Sequence, residues 1–309
     1  MSDAPTIIGI GEALFDVFPG GQEVVGGAPL NFSVHANRLA RVIGRSAAIA
    51  SRVGVDPRGQ AIRQFLESAD VSTEFVQEDP SHPTGVVHVT LDADRQASYE
   101  IVPDVAWDHI EWTPALEAAA DRCGLVCYGS LSQRSRQSRS TIEAFLVRAT
   151  KAVRLFDVNL RQPYYDYSNL RRGCALATAL KLNSEELGIL SDMLMLRGSS
   201  PGDRILALFE RFPLDTVILT RGKNGTALYT PSGRFEGEPV IVTPEDGADS
   251  VGAGDAATAA AAVAMLAGHA PEQIVRIANR AGAFVAGRKG ATPELPDEIL
   301  GLIDRRVRL

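Results

Sequence analysis

Short apolar segments rich in β-branched residues alternate along this chain with longer segments of helical character. The apolar segments that follow this rhythm are 6–11, 47–54, 125–129, 153–159, 179–183 and 216–220. Such alternation is typical of βαβ units, because parallel neighbouring strands must be joined by a crossover that is usually a helix. The sequence therefore predicts an α/β domain with a mostly parallel central sheet. The first strand is predicted to continue through residues 12–18.

Residues 85–102 interrupt this alternation. Two apolar segments, 85–91 and 97–102, flank a polar turn at 92–95, which predicts a β-hairpin inserted into the α/β repeat. A ribbon of strands set apart from the main sheet is suited to act as a lid that excludes water from a reaction. No internal repeat or linker-like tract is visible, so a single domain over residues 1–309 is predicted.

Composition excludes several classes of protein. The chain has 309 residues and a formal net charge of −7, without a long basic run, which disfavours a nucleic-acid partner. The longest apolar run, 255–266, is too short and too weakly hydrophobic to predict a membrane span. The first residues lack a basic segment typical of a signal peptide, so a cytoplasmic protein is expected. The three cysteines, Cys123, Cys127 and Cys174, are expected to be buried thiols in a reducing compartment.

The segment 249–266 carries the strongest indication of chemistry. Its Ala-rich part predicts a helix from about Asp255 to Leu266, with Gly268 as the stop. Gly252, Ala253 and Gly254 then lie at the helix N-terminus, where free N–H groups and the helix dipole favour an anion. A carboxylate at 255 would repel a bound phosphate, unless it removes a proton from a hydroxyl that attacks the phosphorus. The simpler alternative is a loop followed by a capped helix.

Other polar positions suggest ligand contacts. Asp16 is a charge within an apolar run, and it predicts either a solvent-facing edge-strand residue or a carboxylate that accepts hydrogen bonds from two sugar hydroxyls. Gly26 and Gly27, followed by Asn31 in a helix predicted over 30–39, form a polar surface for a small hydroxylated ligand. The turn at 221–225 is suited to backbone contact with phosphates. Asp157, Asn159 and Arg161 follow a strand end, where they order a loop or contact a ligand. Neither a complete dinucleotide fingerprint nor a Walker motif occurs.

These motifs, in their order, resemble the ribokinase-like (PfkB) carbohydrate kinases over nearly the whole chain. The matching segments are 26–31, 249–255 (with Ser250 where threonine is usual), Asn183-x-x-Glu186, Thr220-x-Gly222-x-x-Gly225, and Asn279 with 288–291. The amino-acid sequences of segments 11–14, 26–32 and 156–161 are most similar to those of bacterial fructokinases. The resemblance implies a three-layer α/β/α domain with a small β-strand lid contributed by roughly residues 12–30 and 84–103.

The resemblance also implies roles for individual residues. Asp255 would be the general base, and Gly252, Ala253 and Gly254 the anion hole. The sugar would be bound by Asp16, Gly26, Gly27 and Asn31. The ATP site would be lined by Lys181, Asn183, Thr220, Gly222, Gly225 and Asn279. Glu186 would contact Mg²⁺ through a bound water, since Mg²⁺ keeps several waters. Asp249 and Gly290 would hold a monovalent cation such as K⁺.

The implied reaction is transfer of the ATP γ-phosphoryl group to a free sugar, with fructose as the favoured substrate. The resemblance also implies a homodimer that forms through the lid. One alternative is a kinase for 2-keto-3-deoxygluconate, ribose or a nucleoside, and another is a non-catalytic sugar sensor on the same fold. A nicotinamide dehydrogenase is disfavoured because the dinucleotide fingerprint is incomplete.

Individual residues also have simpler interpretations. Glu186 is alternatively a plain first-turn helix acid, and Lys181 a solvated charge at a strand end. His35 and His88 are expected at the surface or in lid packing.

Overall fold

The computed structural model describes residues 7–91 and 97–304, so the predicted turn at 92–95 and Thr6 of the first strand lie outside the described residues. The strands are β1 (Ile7–Ile10), β2 (Leu14–Val17), β3 (Glu23–Gly26), β4 (Ala47–Gly54), β5 (Val76–Asp79), β6 (Gly85–Leu91), β7 (Ala97–Ile101), β8 (Leu125–Gly129), β9 (Val153–Asp157), β10 (Ala179–Asn183), β11 (Thr216–Thr220), β12 (Thr226–Thr230) and β13 (Gly233–Glu236).

The larger sheet has nine strands in the order β13-β12-β11-β10-β9-β8-β1-β4-β5. The strands from β11 to β5 pair in parallel, whereas β12 and β13 return antiparallel at one edge. Every residue of β1 and of β4 is buried. Burial on both faces explains why β1 and the first half of β4 are continuously apolar rather than alternating. The predicted mostly parallel sheet is confirmed.

Helices cover both faces of this sheet. They are α1 (Ala28–Arg41), α2 (Pro57–Ser68), α3 (Pro114–Arg122), α4 (Arg136–Arg148), α5 (Tyr167–Leu176), α6 (Ser184–Leu194), α7 (Pro201–Arg211), α8 (Ala253–Leu266), α9 (Pro271–Ala286) and α10 (Asp297–Leu300). One apolar core joins the sheet to α1, α8 and α9, and a second joins its other face to α3–α7. The molecule therefore has the predicted three layers.

A separate four-stranded sheet has the order β3-β2-β6-β7. β2 pairs in parallel with β6 and antiparallel with β3, and β6 and β7 form the predicted hairpin. The prediction of one continuous strand through residues 6–18 is wrong. Gly11, with φ of 148°, separates β1 in the large sheet from β2 in the small sheet. The small sheet thus comes from 14–26 and 85–101, and residues 28–30 belong to α1.

Two of the predictions from composition concern the helices and the cysteines. Among residues 7–91 and 97–304, none of the helices combines the length and the apolar character that crossing a membrane requires. Cys123, Cys127 and Cys174 are buried free thiols, as predicted.

Candidate active site

The predicted catalytic segment begins helix α8. Gly252 is the N-cap residue, and its φ of 76° and ψ of −8° form a left-handed conformation that glycine adopts at little cost. A Cβ atom at this position would lie 2.2 Å from the carbonyl oxygen of Ala291. A Cβ atom on Gly254 would lie 3.4 Å from Nζ of Lys181. The two glycines therefore let the helix start approach both a neighbouring backbone and a buried cation.

The first turn of α8 is suited to an anionic group. Its N–H groups lack intrahelical acceptors and lie at the positive end of the helix dipole. Among them are the backbone N–H groups of the predicted anion hole, which belong to Gly252, Ala253 and Gly254. The N–H of Ala253 also donates a long hydrogen bond of 3.3 Å to the carbonyl oxygen of Ser250. The ammonium of Lys181 adds positive charge beside this turn.

Asp255 lies in the same first turn and is partly buried. Its Oδ2 accepts a 2.9 Å hydrogen bond from Nδ2 of Asn31. Burial and the nearby charge of Asp157 raise the pKa of Asp255 to about 6, against the Asn31 hydrogen bond and the attraction of Lys181 and Arg161. A carboxylate with this pKa is mostly ionised at neutral pH and is more basic than an ordinary aspartate.

Asn31 brings the starts of two helices together. It lies in the first turn of α1, whose N-cap Gly27 has φ of 112°. A Cβ atom on Gly27 would lie 2.5 Å from the carbonyl oxygen of Glu12, so both the backbone and the packing require glycine there. Asn31 is only 5% exposed, and its Oδ1 has no hydrogen-bond partner among the described residues. The Asn31 amide is therefore available to a ligand as well as to Asp255.

Asp16 lies in β2, between β3 and β6 of the small sheet, so the interpretation as an edge-strand residue is wrong. A Cβ atom on Gly26 would lie 2.6 Å from Oδ2 of Asp16, so the glycine leaves space beside the carboxylate. Burial raises the pKa of Asp16 to about 6, against the attraction of Arg161. Asp16 and Gly26 are thus in contact, as expected of residues that share one binding surface.

Glu12 is a member of this acidic group that the sequence did not identify as a site residue. Its side chain is 3% exposed, and Oε2 has no hydrogen-bond partner among the described residues. Burial raises the pKa of Glu12 to about 7, and the charge of Asp255 adds to this, while Arg161 and Arg134 oppose it. The only sequence signal was a charged residue within the apolar run that spans β1 and β2.

Arg161 links the three carboxyl groups electrostatically. It is exposed, yet its positive charge lowers the pKa of Glu12, of Asp16 and of Asp255. Its Nη1 donates a 3.0 Å hydrogen bond to the carbonyl oxygen of Leu160. The guanidinium therefore places positive charge near all three carboxyl groups, while its hydrogen bond holds it to its own loop.

Lys181 is 6% exposed, so the interpretation as a solvated strand-end charge is wrong. Its Nζ donates a 3.0 Å hydrogen bond to Oδ1 of Asp157, and Thr258 of α8 donates to Oδ2 at 3.1 Å. Burial opposes charging of Lys181, but the carboxylates of Asp157, Glu186 and Asp255 outweigh burial and raise its pKa. Lys181 is thus a permanent buried cation behind the start of α8.

Glu186 and Asn183 form a capping box at the start of α6. Asn183 Oδ1 accepts from the N–H of Glu186 at 2.9 Å, and Oε2 of Glu186 accepts from the N–H of Asn183 at 2.7 Å. Oε1 of Glu186 accepts from the N–H of Leu160 at 3.1 Å, across the sheet edge. Burial and Asp157 raise the pKa of Glu186, against the attraction of Lys181. Glu186 is therefore a first-turn acid that also faces Lys181 and Asp157.

A cavity of about 620 Å³ adjoins the start of α8. Its walls include Gly254 and the predicted nucleotide residues other than Lys181, namely Asn183, Thr220, Gly222, Gly225 and Asn279. The remaining walls are largely small or aliphatic side chains of α8, α9 and the 240–244 segment. This volume and lining are typical of a small-molecule site. A surface groove of about 630 Å³, next to Trp112, contains none of the predicted residues.

Asn279 lies on the α9 side of this cavity. It is 7% exposed, and its Nδ2 donates to the carbonyl oxygen of Glu238 at 2.9 Å. A Cβ atom on Gly225 would lie 3.0 Å from the same nitrogen, and Gly225 has φ of 73°. The glycine turn after β11 therefore packs directly on Asn279.

The two residues predicted for a monovalent cation lie together. Oδ1 of Asp249 accepts from the N–H of Val251 at 3.0 Å, and Oδ2 accepts from the N–H of Gly290 at 3.4 Å. Gly290 has φ of 82°. The carboxylate thus ties the loop before α8 to the loop after α9.

The expectation for His35 is wrong, and that for His88 is confirmed. His35 is fully buried on α1, and its Nε2 donates to the carbonyl oxygen of Ala291 at 2.9 Å, next to Gly252. Burial lowers its pKa to about 4, so the ring is neutral. His88 is exposed on β6, opposite Glu100 of β7.

Comparison with known proteins gives a consistent result. The family model of the pfkB family of carbohydrate kinases matches residues 18–298. A fructokinase from Klebsiella pneumoniae is 30% identical over 308 residues, which cover 93% of this chain and 95% of that protein.

Two solved structures with the same fold contain a bound nucleotide. A fructokinase with bound ATP from Xylella fastidiosa superimposes with a TM-score of 0.81 at 26% identity, covering 96% of this chain and 98% of that chain. A fructokinase from Vibrio cholerae, in a form with bound fructose, ADP and calcium, has a TM-score of 0.78 at 24% identity, covering 98% of this chain and 100% of that chain.

Proposed function

Since this chain belongs to the pfkB family of carbohydrate kinases, we propose that it transfers the γ-phosphoryl group of ATP to a hydroxyl of free fructose. The chain is an ATP-dependent sugar kinase. The observation that carries the proposed site is the Asn31–Asp255 hydrogen bond, which joins a polar Gly-rich surface to a helix start beside a cavity, and similarity to fructokinases favours fructose as the acceptor. Such a junction would bring an acceptor site, a base and a phosphate site together in one place.

The proposed base is Asp255. It would take the proton of the attacking hydroxyl, and its pKa of about 6 suits it both to be ionised at neutral pH and to accept a proton. The N–H groups at 252–254 would hold charge that develops on the transferred phosphoryl oxygens. Lys181, buried behind Gly254, adds a fixed positive charge to that end of the site.

The proposed sugar site lies between the small sheet and α1. Asp16 would accept hydrogen bonds from two hydroxyls, and Gly26 leaves space beside its carboxylate. The free Oδ1 of Asn31 is an acceptor for a further hydroxyl. Gly27 lets the start of α1 pack against the backbone of Glu12, and its backbone would contribute to the sugar site from there. The small sheet would act as a lid that excludes water, which limits hydrolysis of ATP.

The proposed ATP site is the cavity beside α8. Thr220, Gly222 and Gly225 would contact the phosphates or the ribose of ATP. Asn279 would support the turn that contains Gly222 and Gly225. Asn183 would contribute its amide from the start of α6. Asp249 and Gly290 are proposed to hold a monovalent cation such as K⁺ near the α8 loop.

Glu186 is proposed to contact Mg²⁺ through water. Both of its carboxylate oxygens already accept backbone N–H groups, so a water-mediated contact fits them better than direct ligation. When bound, Mg²⁺ would neutralise phosphate charge.

Two other functions remain as alternatives to fructose phosphorylation. One alternative is a kinase of the same fold for 2-keto-3-deoxygluconate, ribose or a nucleoside. The contacts of the small sheet, within the described residues, do not distinguish these acceptors from fructose. A non-catalytic sugar sensor is disfavoured, because a sensor does not need a basic carboxylate beside an anion hole.

An assay of ADP release over a panel of acceptors tests the proposal. The panel contains fructose, other ketoses, aldoses, 2-keto-3-deoxygluconate and nucleosides, each with ATP and Mg²⁺, and a blank without acceptor. We expect the highest kcat/KM with fructose. A higher kcat/KM with another acceptor would reassign the substrate, and ADP release no faster than the blank for every acceptor would refute the proposed reaction.

A further inference from the structure

A second cluster of polar side chains lies at the base of the β6–β7 hairpin. His82 precedes β6 by three residues, Asp104 follows β7 by three, and His109 ends a short 3-10 turn, Ala106–His109. None of these side chains lines the cavity beside α8. The cluster therefore joins both ends of the hairpin to the turn that follows it.

The three side chains converge on one point. Nε2 of His109 lies 2.9 Å from Oδ1 of Asp104, and Nε2 of His82 lies 3.8 Å from the same oxygen. One potential ligand atom from each residue lies within 4.8 Å of the other two. The two imidazole rings are stacked, with centroids 3.6 Å apart and planes inclined by 13°.

The other ring nitrogens indicate where the imidazole protons lie. Nδ1 of His82 is 3.0 Å from Oδ2 of Asp79, and Nδ1 of His109 is 3.4 Å from Oε1 of Gln137. The Gln137 amide is oriented by its Nε2, which donates to the carbonyl oxygen of His109 at 3.2 Å. On His82 the proton on Nδ1 is donated to Asp79, which leaves a lone pair on Nε2. On His109 both ring nitrogens face acceptors, because Nε2 lies 2.9 Å from Oδ1 of Asp104, so this ring binds a metal ion once Nε2 gives up its proton and Nδ1 keeps its own toward Gln137.

Two imidazole lone pairs and one carboxylate oxygen then face one another. A divalent cation between the three atoms takes the place of the proton that His109 otherwise donates to Asp104. We propose that His82, Asp104 and His109 bind one divalent transition-metal ion of the Zn²⁺ class. Imidazole and carboxylate ligands suit such an ion.

The distances are compatible with a four-coordinate ion. Metal–ligand bonds of about 2.0–2.1 Å in a tetrahedron place two ligand atoms about 3.3 Å apart. The observed 2.9 and 3.8 Å lie on either side of this value. The stacked rings tilt apart on binding so that both lone pairs point at the ion, and water takes the fourth position.

The surroundings of the cluster support ligation. Asp79, which holds Nδ1 of His82, is 2% exposed and accepts the N–H groups of Ser81 and His82. Nε of Arg52 lies 2.9 Å from the same Asp79 Oδ2. A carboxylate fixed behind a ligating histidine orients the ring and raises its basicity. The Asp104 side chain is 77% exposed, which leaves an entry path for the ion.

The proposed ion would fasten the base of the hairpin. It would link the segments before β6 and after β7 to the turn that carries the fully buried Trp107. Because the ligands come together only in the folded chain, binding stabilises the fold by mass action. The metal therefore restrains the hairpin independently of which sugar the enzyme uses.

Calorimetric titration of chelator-treated protein with ZnCl₂ tests this site, and bound Co²⁺ gives a visible spectrum as a second readout. We expect one Zn²⁺ per chain in the wild type and a raised Tm. We expect Asp104→Asn and His82→Ala to weaken binding by about 10- to 100-fold or more. Asp104→Asn keeps the size and the left-handed backbone preference at φ of 55°, so this variant folds normally.

His88→Ala is the matched control, because His88 is exposed on β6 of the same hairpin and lies outside the cluster. It is expected to bind Zn²⁺ as the wild type does. The proposal is overturned if the wild type takes up no Zn²⁺. It is also overturned if Asp104→Asn and His82→Ala bind Zn²⁺ as tightly as the wild type, since the ion then lies elsewhere.

Discussion

Asp255 experiences opposing influences on its proton affinity. Burial and the Asp157 carboxylate raise its pKa, whereas the Asn31 amide, Lys181 and Arg161 lower it, and the result is a pKa of about 6. A base much weaker than this would accept a proton poorly, and a much stronger one would be protonated at neutral pH. The polar groups around Asp255 therefore suit it to proton transfer more than to simple phosphate binding.

Replacing Asp255 by asparagine keeps the size of the side chain and removes the base. We expect kcat to fall by about 10²- to 10⁴-fold, the range for a positioned general base, while KM for the sugar changes little. Steady-state kinetics with the best acceptor of the panel would measure this, with the melting curve as a check of folding. Asp192→Asn, on the exposed side of α6, removes one charge elsewhere and should leave kcat unchanged. A near wild-type kcat in Asp255→Asn would contradict the assignment.

The side chains of the site differ in how far sequence could predict them. Asn31, Asp255 and the glycines stand in short motifs, so their proximity was predictable once the two helix starts were assigned to one site. Glu12 was not, because its burial depends on the break at Gly11 that sends β1 and β2 into different sheets. The burial of His35 was not predicted, because its imidazole is buried by contact with Ala291, which is distant in the sequence.

Among the elements, α8 most directly shapes the site. Its boundaries were predicted to within two residues, because a run of alanines has a strong helix propensity and Gly268, with φ of 73°, follows its end. Its small side chains also allow close packing in the core shared with α1 and α9.

The short strands β3 and β5 were not predicted, since Glu23, Gln77 and Glu78 interrupt their apolar character. Pairing with a neighbouring strand, rather than local sequence, makes them strands.

Gly252→Ala tests the start of α8. An alanine there meets both a left-handed φ and the Ala291 oxygen at 2.2 Å, so we expect unfolding to require roughly 2 kcal/mol less and kcat to fall. Urea denaturation would measure the first effect and kinetics the second. Gly188→Ala in α6 is the control, because a Cβ atom there has no neighbour within 4 Å. It should stabilise by about 0.5–1 kcal/mol. Equal effects of the two substitutions would contradict this account.

At the scale of the whole molecule, the site concentrates negative charge. Glu12, Asp16 and Asp255 all have a raised pKa, and Arg161 is the cation that lowers each of them. The order of the strands brings these residues together from distant parts of the chain. The βα alternation predicted the mostly parallel large sheet, but it predicted neither the order of its strands nor the packing of the small sheet on α1. Pairing of two copies through the small sheet stays a prediction.

This concentration of acids makes stability depend on pH, and Glu12 should contribute most. Its pKa rises from 4.5 to about 7 on folding, so the folded chain binds the proton more tightly than the unfolded chain. The contribution of Glu12 to stability is then fully present below about pH 4.5, is lost as pH rises from there through about 7, and stays lost above it. The full loss corresponds to at most roughly 3 kcal/mol. Burial of the ionised carboxylate is the main physical reason for the loss, and the charge of Asp255 adds to it. Oε2 of Glu12 has no hydrogen-bond partner among the described residues that would offset this burial.

Glu12→Gln removes this ionisation while keeping the shape of the side chain. We expect the variant to gain stability over the wild type at pH 8, by up to roughly 3 kcal/mol, and to gain much less at pH 5. Urea unfolding at both pH values measures the two differences. Glu67→Gln, exposed on α2, is the control and should show no difference between the two pH values. A stability difference for Glu12→Gln that is equal at pH 5 and pH 8 would mean that Glu12 does not titrate with folding. The carboxyl would then act through packing alone.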